Sequence, residues 1–377
     1  MLTGLPVFFL ILSCVSSEKV YIEDVNNDGS DGVGISEPDM SAADMPVAAI
    51  IPEAEVATML PYEGPILNIF FHTLVAKPEI AFRGSMKKHF TEWYVTADEY
   101  RKILHELYMN NYVLVDIKEI YEVIERDGSI RVIYRPPLVP EGKKPMILSV
   151  DDLSYYEYVK ANGSVHKLVI DEKGGIAAWT DNGKGGELSY DLDAVTYLEE
   201  FIKRHPDFSI RGAKGILALT GFEGILGYNT HKLNAPEYRE ETEKAIAVVN
   251  RLKELNWRFA SHSWRHINIQ EKPLSSLTHD QRLWDEQVKH ILGDTDLFMY
   301  PYGAGVERQA DKHKFLRDQG FRVFFGVGRG FGHDDFNEYL YFERRNIDGV
   351  YFRYYKDRRD RLFDIDKVMD TEMRMTE

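Results

Sequence analysis

The segment SHSWRH, residues 261–266, sets His262 and His266 four positions apart. Asp151 and Asp152 stand side by side at the end of an apolar run, PMILSV, 110 residues before His262. Two adjacent carboxylates repel each other unless a cation neutralises one or water screens it. One aspartate and two histidines offer an oxygen and two nitrogens, a common set for a catalytic zinc that keeps one position open. If residues 262–266 begin a helical turn, their spacing puts both imidazoles on one face. Two further groups end apolar runs in the same way: His72 follows ILNIFF, and Pro301-Tyr302-Gly303 follows LFMY. Taken singly, paired aspartates are more often a helix cap, and histidines four apart more often a coincidence. Their common position at the ends of apolar runs points jointly to a metal site.

Those runs read as strands, at 66–71, 112–117, 145–150, 215–220, 257–261, 297–300 and 321–327. Helical patterns fall between them, at 96–111, 117–126, 193–205, 236–256, 279–292 and 307–319, with a last one near 358–370. In the first, Thr96 and Glu99 form a capping box, and Tyr100, Ile103, Leu104 and Leu107 make an apolar stripe. Residues 155–188 hold glycine-rich β-like pieces, read as a hairpin excursion. Alternating strands and helices predict a parallel sheet, either open or closed into a barrel. Both architectures place their chemistry at strand C-terminal ends. The glycines of GVGRGFG, 326–332, do not fit a dinucleotide loop.

The 377 residues are 44% hydrophobic, enough for a sizeable core. A formal charge of −15 argues against nucleic acid as a partner, because phosphate neutralisation needs clustered Lys and Arg. Cys14 is the sole cysteine, so neither a disulfide framework nor a cysteine metal site is expected. The apolar stretch 5–13 is too short to span a bilayer and reads as the core of a signal peptide. ILSC, ending at Cys14, resembles a bacterial lipoprotein box, although MLTGLP before it carries no Lys or Arg. The expected organisation is a signal or lipobox segment over 1–16, a flexible acidic tether over 17–63, and a folded domain over 64–377. Within the tether, DVNNDG begins like a calcium loop, but Ile35 stands where the loop needs glutamate. The chain is thus expected outside the bacterial cytoplasm, secreted or membrane-anchored, touching the membrane only through a possible N-terminal lipid. Its oligomeric state is left open.

SVDDL, SHSWRH and YPYG, in this order, resemble the leading motifs of the polysaccharide deacetylases, the NodB-homology domains of carbohydrate esterase family 4. The resemblance spans about residues 64–355. It implies an α/β fold, an irregular (β/α) barrel with seven strands, and hydrolysis of N-acetyl groups on an extracellular or cell-wall polysaccharide. It implies Asp151 as the general base and Asp152, His262 and His266 as ligands of a divalent metal, zinc first, with cobalt, nickel or manganese as substitutes. Ser263 would brace the histidine loop. Pro301, Tyr302 and Gly303 would wall the groove, with the Tyr302 N–H facing an oxyanion. Apart from the resemblance, His72 at the end of the first strand is a candidate to line the groove or donate a proton.

The chain departs from the family pattern at three places. Met299 stands where an arginine usually orients the base, Leu153 where a glycine usually follows the aspartates, and residues 340–352 lack the usual acid histidine. Arg345 and Asp348 are candidates to orient the base or bind sugar, and His333 is a weaker candidate acid. Two other functions follow from these departures: a catalytically impaired glycan-binding barrel, or an O-acetyl esterase, whose alkoxide leaving group needs less acid help.

Overall fold

The computed structural model describes residues 58–307 and 309–374. The signal segment, Cys14 and the tether up to residue 57 lie outside the described residues.

Seven strands form the centre: β1 (Leu67–Phe71), β2 (Lys144–Asp151), β3 (Ile216–Leu219), β4 (Arg258–Ser261), β5 (Leu297–Met299), β6 (Val323–Val327) and β7 (Leu340–Asn346). Each pairs in parallel with the next, and β7 returns to β1, so the sheet closes into the expected seven-stranded barrel. The irregularity sits at β2. Its first half pairs with an extra parallel strand, Tyr112–Leu114, and only its second half pairs with β3, from Ser149 to Asp151.

Side chains alternate across each strand, which divides the apolar residues between two layers. Ile147, Ala218, Ala260, Met299, Phe325 and Phe342 belong to the cluster that fills the barrel. Leu148, Leu217, Phe259 and Ile69 belong to the cluster between barrel and helices. There they meet Leu104 of helix Ala97–Met109, Leu198 of Ala194–Arg204 and Val249 of Tyr238–Glu254. Burial on both faces explains the unbroken apolar runs of the sequence. Both capping-box bonds between Thr96 and Glu99 form, and Arg374 also pairs with Glu99.

Several elements differ from expectation. Residues 117–126 are a short 3-10 turn, Ile117–Glu119, and a strand, Tyr121–Arg126, in a hairpin with Ser129–Tyr134. Asp127-Gly128 supplies two positive φ angles, 53° and 74°, as a two-residue hairpin turn demands. Met59–Pro61, assigned to the tether, is a strand paired with Leu138–Pro140. The 155–188 excursion is a three-stranded antiparallel sheet, Lys167–Ile170, Ile176–Thr180 and Glu187–Ser189. Helix Gly349–Tyr355 follows β7 where none is expected, begun by the Asp348 side chain capping the Tyr351 N–H. The helix expected near 358–370 is one turn, Ile365–Val368, and another turn, Thr371–Arg374, follows it.

Candidate active site

The barrel's inward-facing series runs straight into its polar mouth. On β2, Ile147 is followed two residues later by Ser149 and then Asp151. On β4, Ala260 leads to His262, and on β7, Phe342 leads to Arg344. Asp151, His262 and Arg344 are all buried. Asp152 has the opposite parity, but its φ of 58° turns the chain, and it too lines the mouth. Aspartate tolerates this left-handed conformation better than most residues. Leu153 does not have to adopt a positive φ. Asp152 and Tyr155 take that role, and Leu153 is buried in the core.

Asp152, His262 and His266 each offer one ligand atom, and these atoms lie within 4.8 Å of one another. His262 Nδ1 is 2.8 Å from the Met299 carbonyl oxygen, which can only accept, so Nδ1 carries the proton and Nε2 keeps its lone pair. Burial lowers the His262 pKa to about 4 against the opposing pull of Asp151, so the ring is neutral at neutral pH. Its 3.8 Å approach to Asp151 is therefore not an ion pair. Burial pushes the Asp152 carboxyl up, yet His266 and His262 together hold it below its ordinary value. Tyr156 donates its hydroxyl hydrogen to Asp152 Oδ1 at 2.8 Å, fixing the carboxylate's orientation. An anionic oxygen with neutral imidazole nitrogen fits a divalent metal.

The histidine segment is a loop, not the helical turn considered from spacing. Ser263 and His266 have φ of 58° and 52°, and the two imidazole centroids lie 4.7 Å apart. Ser263 Oγ accepts the Ile267 N–H at 3.0 Å. Buried Asp280, on helix Leu274–Gln287, accepts the N–H groups of Trp264 and Arg265 at 2.5 and 3.0 Å. Backbone hydrogen bonds rather than helical periodicity thus bring the rings together.

Asp151 is held by an arginine after all. Arg344 makes a bidentate contact, Nη1 to Oδ1 at 2.6 Å and Nη2 to Oδ2 at 2.9 Å, and Nη1 also reaches Ser149 Oγ at 3.0 Å. Burial pushes the Asp151 carboxyl up, but Arg344 and then His262 bring it below the usual carboxylate range. The guanidinium lies over the Phe70 ring at 4.3 Å, and Nη1 is 3.0 Å from Met299 Sδ. Position 299 therefore lacks the arginine while β7 delivers one beside it. Arg345, the candidate from sequence, does not reach Asp151. It donates to the carbonyls of Arg329 and Asp360 and lines the cleft beside them.

Asp348 lines the cleft but serves as a helix cap, accepting from Tyr351 N–H and Asn346 Nδ2, and burial raises its pKa to about 6. His72 also lines the cleft, with Nδ1 3.1 Å from the Trp93 carbonyl oxygen. His333 does not line it and stacks on Tyr134 at 3.7 Å. Pro301 is buried. Gly303 has φ of 63°, and a Cβ there would come within 2.4 Å of Val327 Cβ. Tyr302 stands 67% exposed against the His266 ring, and no acceptor among the described residues takes its backbone N–H.

The cleft holds about 920 Å³. Its rim includes Trp93, Tyr354 and Tyr302, with 44%, 59% and 67% of their surface open, enough for flat contact with a sugar ring. Trp93, Tyr354 and His89 went unremarked in the sequence because they come from helices outside the strand-end pattern. Arg344 could have been found: parity with Leu340 and Phe342 puts it inside the barrel, whereas Arg345 falls outside.

Fold and site together define a seven-stranded parallel β/α barrel with an Asp-His-His cluster and an arginine-held aspartate at its C-terminal mouth. No family model and no curated protein sequence matches the chain. Among solved structures it is similar to the Streptococcus pyogenes deacetylase PplD in complex with acetate, at 13% identity and a TM-score of 0.42, over 77% of this chain and 94% of that one. It is also similar to a polysaccharide deacetylase from Bacillus cereus, at 13% identity and a TM-score of 0.41, over 75% of this chain and 65% of that one.

Proposed function

We propose that the chain hydrolyses N-acetyl groups of an extracellular or cell-wall polysaccharide, with a divalent metal held by Asp152, His262 and His266 and with Asp151 as general base. The observation that carries this reading is the division of labour between adjacent aspartates. One carboxylate belongs to a ligand cluster, while the other is kept ionised beside it by Arg344. When bound, such a metal acidifies water and polarises an acyl carbonyl. Zinc suits the donor set, and cobalt, nickel or manganese are substitutes.

Asp151 takes the proton of the attacking water, and Arg344 fixes the carboxylate in place without neutralising it by protonation. The Tyr302 N–H is the free backbone donor at the groove wall, and one oxyanion donor is typically worth ~3 kcal/mol. Trp93, Tyr302 and Tyr354 give sugar rings flat apolar surfaces. The impaired glycan-binding reading rested partly on a missing arginine, and Arg344 removes that support. Location outside the cytoplasm through a lipidated Cys14 belongs to the same proposal, and Cys14→Ser should release the protein from the membrane fraction.

The test is acetate release from N-acetylglucosamine oligomers by zinc- or cobalt-loaded protein. Asp151→Asn should lower the rate about 10²–10⁴-fold while metal stays bound. Release from O-acetyl esters alone would move the assignment to an esterase. Metal-loaded protein that frees acetate from neither class of substrate would contradict both.

A further inference from the structure

We propose that Arg374 is a positioning residue that sets the gap between the rim aromatics Trp93 and Tyr354, and with it the affinity for long glycan chains; the assignment rests on the deacetylase reading above. The two rings stand on different helices, Lys87–Trp93 and Gly349–Tyr355, and both line the cleft. Each helix has only seven residues, too few to hold its place by its own hydrogen bonds. Their spacing must be fixed from outside.

Arg374 does this from the turn Thr371–Arg374. Its side chain is 7% exposed, and that of its partner Glu99 is fully buried. Nε donates to Glu99 Oε1 at 2.6 Å and Nη2 to Oε2 at 2.7 Å. Glu99 belongs to the capping box of helix Ala97–Met109, so the guanidinium is anchored to the barrel's outer layer. Its other contacts reach the end of the first rim helix. Nη1 donates to the Thr91 carbonyl and Nη2 to the Tyr94 carbonyl, both at 2.7 Å. A helix end leaves such carbonyls without partners, and these two flank Trp93 on either side. The second rim helix meets the same point. Gly349 opens it, and a Cβ there would collide with the Thr91 oxygen and crowd Arg374 Nη1. The Phe352 ring of that helix packs 5.1 Å from the guanidinium carbon. One buried cation thus joins both rim helices to a helix of the outer layer. The ion pair from Arg353 to Glu92, at 3.5 Å, also spans the two rim helices, but it lies at the surface and contributes little.

A glycan stacked on both rings binds best when they are already spaced to receive it, because ordering each mobile side chain costs part of the binding energy. Loosening the clamp therefore weakens the binding of chains that reach the rim, while the acetyl group still meets Asp151.

Arg374→Lys keeps a cation beside Glu99, but one ammonium cannot reproduce the fork that holds the carboxylate and both carbonyls. On zinc-loaded protein, KM for the N-acetylglucosamine hexamer should rise about tenfold, with kcat changed by under about twofold. Gly349→Ala leaves both charges in place but pushes the second helix off the Thr91 oxygen, and should raise KM likewise. In a Trp93→Ala background, Arg374→Lys should add under about threefold to KM, because it acts largely through that ring. Amide hydrogen exchange should quicken about tenfold in residues 87–94 and 349–355 and stay unchanged in the barrel strands. An unchanged KM, a fall in kcat alone, or a full tenfold effect without Trp93 would overturn the assignment, as would exchange that quickens throughout the fold. Wild-type protein that frees no acetate from the hexamer would overturn the deacetylase reading instead. Exchange then decides the clamp by itself: quickening confined to the two helices supports it, and no change overturns it.

Discussion

Arg344 and Arg345 are consecutive, yet one sits on Asp151 and the other on loop carbonyls. Strand parity decides between them. Arg344→Lys replaces a two-pronged contact with a point charge and should lower kcat by about 10–100-fold while metal remains bound, as measured by acetate release and metal analysis. Arg344→Met leaves Asp151 buried without its partner and should destabilise the fold by about 3–5 kcal/mol in denaturant unfolding. Asp348 carries a separate prediction. Its folded pKa is about 6 because of burial, above the ordinary 3.8, so the folded state holds more protons than the unfolded one between these values. Stability from this residue is full below about pH 4 and is lost as pH rises through 6. Asp348→Asn retains a capping side chain and should remove that slope. The stability difference, variant minus wild type, should therefore grow from pH 4 to 6 and level off above 7.

At the scale of elements, the strands and their order were legible because each is buried on both faces and reads as an apolar run. The hairpin at 121–134 was not, because its apolar residues also fit a helix; Asp127-Gly128 was the signal that decided the matter. That Asp152, His262 and His266 converge was legible too, while the conformation of 262–266 was not. Left-handed Ser263 and His266 depend on partners that lie far off in sequence. Asp280 is the principal one, taking two N–H groups of the loop. Asp280→Ala should leave the strands folded but weaken zinc binding about 10–100-fold, measured by competition with a chelating dye. Gly303 makes a comparable demand on the opposite wall. Gly303→Ala meets Val327 and an unfavourable φ, and should lower the melting temperature and displace the Tyr302 N–H. His72 was legible only as a histidine at the end of an apolar run; the parallel pairing of β1 with β2 is what brings it to the mouth.

Across the whole molecule, the barrel sets all the polar groups at the ends of β1, β2, β4, β5 and β7 around one cleft, with aromatic side chains at its rim. On the proposed reading, the rim would bind sugar while the buried groups do the chemistry, so Trp93→Ala should raise KM for longer N-acetylated oligomers with little change in kcat. The most direct measurement is a titration of apoprotein with Zn²⁺ while acetate release from N-acetylglucosamine oligomers is followed. The rate should climb from near zero and plateau at one equivalent per chain, with His262→Ala giving no rise. A rate indifferent to added zinc, or no acetate at any ratio, would contradict a metal-dependent deacetylase.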